Sequence, residues 1–91
     1  MIVGKVIGNV WATRKEESLK GLKLMIVRQI DACTGEEKES FIAADFIGAG
    51  IGDTVLVASG SSARMVLERR NAPIDATIIG IIDEMEVQKE E

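Results

Sequence analysis

Hydrophobic and polar positions alternate with period two over most of this chain. Residues 2–13 (IVGKVIGNVWAT) set Ile2, Gly4, Val6, Gly8, Val10 and Ala12 on one face. Val3, Lys5, Ile7, Asn9, Trp11 and Thr13 fall on the other. That alternation predicts a long strand with a small-residue interior face. Gly4 and Gly8 share a face, where glycine lets a strand coil at a barrel corner. Residues 14–21 are polar and predict a loop. A second strand follows over 23–31, then a turn around Gly35 over 32–38 (ACTGEEK) and a third strand over 39–45. Residues 48–53 predict a glycine turn, and 54–58 a fourth strand.

The period then changes. Over residues 62–70, Ala63, Val66, Leu67 and Arg70 recur at helical spacing. Ser61 or Ser62 suits the N-cap, where a side-chain oxygen accepts an orphan backbone N–H. Arg69 and Arg70 suit the negative end of the helix dipole. Asn71 suits a left-handed cap, and Pro73 stops the helix. Residues 76–83 (ATIIGIID) predict the fifth strand. The fold class expected is mainly β: a small five-stranded OB-like barrel with one short helix before the last strand.

Two strands carry more apolar surface than one barrel interior can hold. Leu24, Ile26 and Ile30 oppose Met25 and Val27, and Ile78 and Ile82 oppose Ile79 and Ile81. The surplus predicts subunit contacts in a symmetric ring or dimer.

Length and composition narrow the setting. The 91 residues hold one domain (1–91), with 84–91 an acidic tail. A chain this short is marginal as an isolated monomer. Its longest apolar runs are too short to cross a bilayer as a helix. The N-terminus predicts no signal or transit peptide. The single cysteine, Cys33, cannot staple the fold from within, and a reducing interior is its simplest home. The net charge of −4 comes from the last nine residues, which hold five acids and one lysine. They predict a solvated end. No basic patch of the nucleic-acid kind stands out.

The stretch DFIGAGIGDTVLVASGSSAR (45–64) carries the features that invite a chemical reading. Its first glycine cluster lacks the GxGxxG spacing, because Asp53 stands at the last position, and no Gly-Lys-Ser/Thr follows. It also leads into a strand, whereas phosphate cradles lead into a helix. A tight connection with glycines at positive φ accounts for it better. Around Ser59, Ser61 and Ser62 the GxSxG elbow fails at Arg64, and the chain has no histidine to serve as base. Helix capping accounts for these serines. With no histidine and one cysteine, zinc lacks a ligand set. The expectation is no catalytic site, no metal and no cofactor. The alternative is an OB-like module binding single-stranded nucleic acid or a small ligand. It would use Trp11, Phe41 and Phe46 with a basic face of Arg14, Lys15, Lys20, Lys23 and Arg28.

Four stretches, in order, resemble one family over nearly the whole chain. These are MIVGKVIGNVWATRK leading to the Leu19–Gly21 turn, KLMIVRQID, AADFIGAGIGDTVLVASGSSAR and PIDATIIGIIDE. They are similar to the vertex proteins of bacterial microcompartments, the EutN/CcmL family of pentameric shell proteins. The resemblance implies a non-enzymatic protein, an OB-like barrel assembling as a homopentamer. It implies a place in a microcompartment shell in the bacterial cytoplasm, with hexameric shell proteins as partners and neither nucleic acid nor membrane. Shells tiled by hexagons need five-fold units at their corners, which is the role the family fills. The resemblance makes Ile47, Gly48, Ala49, Gly50, Ser59, Gly60, Ser61, Ser62 and Arg64 candidates for a pore or subunit interface. Arg64 would hold a neighbouring carbonyl or carboxylate with its guanidinium fork.

Overall fold

The computed structural model describes residues 1–13, 15, 17–66 and 73–88, with backbone alone at 64–66. Five strands lie in order as β1 (Ile2–Val10), β2 (Lys23–Ile30), β3 (Glu37–Asp45), β4 (Thr54–Ser59) and β5 (Ala76–Ile81). One helix, α1 (Ser61–Val66), separates β4 from β5, and a single 3-10 turn (Glu17–Leu19) interrupts the β1–β2 connection. The strands close a barrel in the order β1-β2-β3-β5-β4. Every pairing is antiparallel except β3 with β5. The expected mainly-β barrel with its helix before the last strand is the fold observed.

Some boundaries differ from the sequence reading, each for a local reason. β3 begins at Glu37, inside the stretch read as a turn. Asp31 contracts that turn. Its Oδ1 accepts the backbone N–H groups of Cys33 at 2.8 Å and Thr34 at 3.0 Å. Its own N–H donates to the Glu36 carbonyl at 2.9 Å, and its carbonyl accepts from Gly35 at 2.8 Å. Gly35 sits at φ +76°, where a Cβ is strained. The reversal is complete by Glu36, so the charged pair Glu37 and Lys38 joins the ladder.

The same contacts make the turn acid-sensitive. Hydrogen bonds from the Thr34 and then the Cys33 backbone N–H hold the Asp31 carboxyl below its ordinary value of 3.8. A folded pKa below the unfolded one stabilises the turn above the unfolded value. The contribution is lost as pH falls through the folded value. The Cys33 and Thr34 amide resonances should therefore titrate below pH 3.8 in NMR spectra, and Asp31→Ala should abolish that titration. Amide shifts indifferent to acid would contradict this account.

Two apolar clusters stabilise the subunit. The larger fills the barrel with Val6, Met25, Val27, Ala43, Ala49, Val55, Val57, Ala76 and Ile78. The smaller lies outside the sheet, where Ala44, Ala63 and Ile74 pack with Leu19, Leu22 and Leu24. The two faces of β2 are thus divided, with Met25 and Val27 inside and Leu24 under the helix. Other outer residues stay bare: Ile42 and Ile81 remain exposed.

The strand β1 departs from simple alternation. Val6 pairs with Val27 but Gly8 pairs with Ile26, so a bulge falls between them. Directly paired residues point to the same side of a sheet. Gly8 therefore faces outward with Ile26, while Gly4 faces the interior. The expected shared face of the two glycines breaks at this bulge. Past Val10 the chain leaves the ladder, so Trp11 and Thr13 lie outside the strand.

The helix begins directly after Gly60, which adopts φ +66°, so a glycine rather than a serine precedes the first turn. The predicted continuation through residue 70, with Arg69, Arg70 and Asn71 as its end, lies outside the described residues. No described helix is long and apolar enough to cross a membrane.

Candidate subunit interface

The loop after β3 is built around one carboxylate. Asp45 ends β3 with its side chain buried. Its Oδ1 accepts the N–H groups of Ile47 at 3.0 Å and Gly48 at 3.3 Å, and its Oδ2 accepts that of Ala49 at 3.0 Å. Three donors converge on one acid because Gly48, at φ +97°, turns the chain back around it. Lys23, paired with Asp45 across the β2–β3 ladder, donates its ammonium to the Ala49 carbonyl at 3.1 Å. The same nitrogen stands 3.8 Å from Asp45 Oδ2. The close contact is thus the carbonyl, with the carboxylate as a longer-range partner.

A second aspartate closes the loop. Asp53 Oδ2 accepts the Gly50 N–H at 2.8 Å. Gly52 donates to the Val6 carbonyl and Val6 donates to that of Asp53, each at 2.9 Å. The segment is thereby laid along β1, and Ala49 is pressed into the barrel core. What remains outside is apolar. Phe46 is 53% exposed, Ile47 43% and Ile51 65%. Trp11 leaves β1 at the same end of the barrel, since Val10, Leu24 and Ala44 form one row across three strands. It is 86% exposed.

The serine cluster is a separate structure. Gly60 donates its N–H to the Asp75 carbonyl at 2.8 Å and accepts from Ala63 at 3.2 Å. The Ala63 side chain is buried, and its carbonyl accepts the Thr77 hydroxyl at 3.0 Å. Ser59, Ser61 and Ser62 all stay exposed. The side chain of Arg64 lies outside what is described.

The two candidate clusters flank β4, whose six residues separate Thr54 from Ser59 by about 17 Å. The end of β3 nonetheless reaches the second cluster, because Ala44 packs against Ala63. In a ring each subunit presents two different patches to its two neighbours. Of the first cluster, Ile47, Gly48 and Gly50 reach the surface, whereas Ala49 serves the subunit's own core. Residues 46 and 51 are additions to the sequence-based candidates: Phe46 figures there only as a stacking aromatic of the alternative reading, and Ile51 only within the glycine turn. Their signal was present: apolar side chains in a loop with no opposing strand face to bury them.

Among the described residues, no group of three His, Cys, Asp or Glu side chains is placed to hold a metal ion.

This arrangement has close counterparts. A family model described as ethanolamine utilisation protein EutN/carboxysome matches residues 1–83. The carboxysome shell vertex protein CcmL of Synechococcus elongatus is 41% identical over 88 residues, covering 97% of this chain and 89% of that one. The bacterial microcompartment shell vertex protein GrpN of Rhodospirillum rubrum is 41% identical over 86 residues, covering 94% and 97%. The solved GrpN pentameric microcompartment shell protein superposes with a TM-score of 0.86 at 40% identity, covering 97% of this chain and all of that one. With the family model matched through β5 and the barrel shared at this identity, the chain belongs to the EutN/CcmL family.

Proposed function

We propose that this protein is a structural shell component whose five-membered rings cap the vertices of a bacterial microcompartment in the cytoplasm. The observation that carries this is the likeness to a pentameric shell protein over that protein's whole chain. The subunit's physics fits the role. Phe46, Ile47, Ile51 and Trp11 present apolar surface at one end of a closed barrel, and a ring contact would remove it from water. The same likeness supports this reading over the alternative of an OB-like binding module. Hexameric shell proteins are the proposed partners, since five-fold units close a surface tiled by six-fold ones.

Native mass spectrometry of the purified chain tests the ring. Five copies are expected, and a stable monomer would sink the proposal. Co-expression with hexameric shell proteins tests the vertex role, with closed shells expected only when this chain is present.

Three substitutions locate the contacts. A Cβ at Gly50 would find only Asp53 Oδ2 within 4 Å, at 3.8 Å, so the subunit has room for a side chain there. Gly50→Leu, Ile51→Glu and Arg64→Glu should therefore weaken the ring more than they unfold the barrel. For Ile51→Glu the expected loss is about 2 kcal/mol per contact. Sedimentation velocity beside circular dichroism separates the two effects. Wild-type rings in all three variants would remove these residues from the interface.

A further inference from the structure

A second surface feature lies beside the candidate interface and shares Trp11 with it. Asn9, Val10, Trp11, Ala12, Lys15, Leu22, Lys23 and Leu24 line a half-open groove of about 330 Å³ at the end of the β1–β2 pair. Its walls mix apolar side chains (Val10, Trp11, Leu22 and Leu24) with polar ones, its charged lining residues are two lysines, and no carboxylate lines it among the described residues. Alongside it runs an open strand edge. β1 pairs with β4 only through Lys5, and the Gly52–Asp53 backbone covers Val6. Beyond that point, the side of β1 facing away from β2 meets no further strand among the described residues.

The chain also carries a segment of matching chemistry. After β5, residues 83–88 (DEMEVQ) are exposed throughout and belong to no strand or helix. Glu84 and Glu86 alternate with Met85 and Val87, so an extended chain shows acids on one side and apolar groups on the other. In the subunit this segment stays out of the groove. It departs from the other side of the 46–53 loop, where the Ile82 N–H donates to the Thr54 carbonyl.

We propose that this groove seats the C-terminal segment of a second copy of the chain in the ring. Met85 and Val87 would pack against Leu22, Leu24 and Trp11, and the acids would meet the Lys15 ammonium, since that of Lys23 already bonds the Ala49 carbonyl. An extended segment laid along an open strand edge is a recurring mode of peptide capture. The occupant is assigned to a second copy by charge complementarity and by the exposure of the subunit's own segment. The assignment rests on the ring reading, and it concerns a contact apart from the glycine and serine clusters.

Trp11 is the chain's single tryptophan, so its fluorescence reports on this end of the barrel, and comparing rings with rings keeps any contribution of the ring contact constant. The test compares acrylamide quenching of Trp11 in rings of the wild type, of E84K/E86K and of M85S/V87S. The wild-type ring should be quenched about twofold less than either variant, because a seated segment would cover much of the indole. A synthetic peptide of residues 83–91, added to the variant rings at about 1 mM, the effective concentration of a short tether, should restore protection. Equal quenching in all three rings, with no effect of peptide, overturns the proposal. Protection that persists in a subunit held monomeric by dilution overturns the second-copy assignment, because the segment would then dock on its own barrel. Failure of the wild type to form rings would overturn both this proposal and the vertex reading, and native mass spectrometry identifies that case.

Discussion

Asp45→Ala is expected to lower subunit stability by about 3–4 kcal/mol, the cost of stranding buried polar groups. The carboxylate accepts three backbone N–H groups, from Ile47, Gly48 and Ala49. Alanine leaves these donors without an acceptor, at a position where the wild-type side chain is buried. The Lys23 ammonium loses its carboxylate partner as well. The damage should spread, because the loop it organises seats Ala49 in the barrel core. Asp45→Asn keeps the shape but turns one oxygen into a donor facing donors, so it should recover only part of the loss. Urea unfolding at fixed protein concentration measures both, since ring assembly would make stability concentration-dependent. A loss under about 1 kcal/mol for Asp45→Ala would mean that the loop holds its shape by other means.

The second large effect is expected at Gly4. A Cβ there would collide with the Val27 side chain and stand 2.9 Å from the Arg28 carbonyl oxygen. Val27 is fully buried, and Arg28 belongs to the strand paired with β1. Neither can yield without moving the β1–β2 ladder. Gly4→Ala should cost about 2–3 kcal/mol by overpacking, and Gly4→Val more. Gly80 supplies the contrast, since a Cβ there meets nothing within 4 Å. Gly80→Ala should shift stability by no more than about 0.5 kcal/mol. Gly8 falls between, as its Cβ would sit 3.2 Å from the flexible tip of Ile26. Equal urea midpoints for Gly4→Ala and Gly80→Ala would refute the close-approach explanation.

The glycines show where sequence reasoning reached and where it stopped. Alternation placed Gly4 on the interior face of β1, and the close approach of Val27 explains why nothing larger stands there. The same alternation placed Gly8 beside it. The bulge after Val6 sends Gly8 outward, and nothing in the run VIGNV marks the extra residue. The aspartates show a similar division. Asp45 and Asp53 stand where strands meet the glycine turn, a position at which aspartates commonly tie down the backbone. The convergence of three N–H groups on Asp45 was not legible, because it depends on how the following residues wrap back.

By itself the sequence determined the strand count, the helix before the last strand, the absence of a histidine base and the family resemblance. Each rests on residue order or residue type, which need no coordinates. Only the tertiary structure decided what closes on what. It paired β3 with β5 in parallel, turned Ala49 inward, and left Phe46, Ile51 and Trp11 in water. It also packed Ala44, just before DFIGAGIGD, against Ala63 of SGSSAR, nineteen residues on. The physical reason is that the burial and neighbours of each side chain depend on strands distant in the chain.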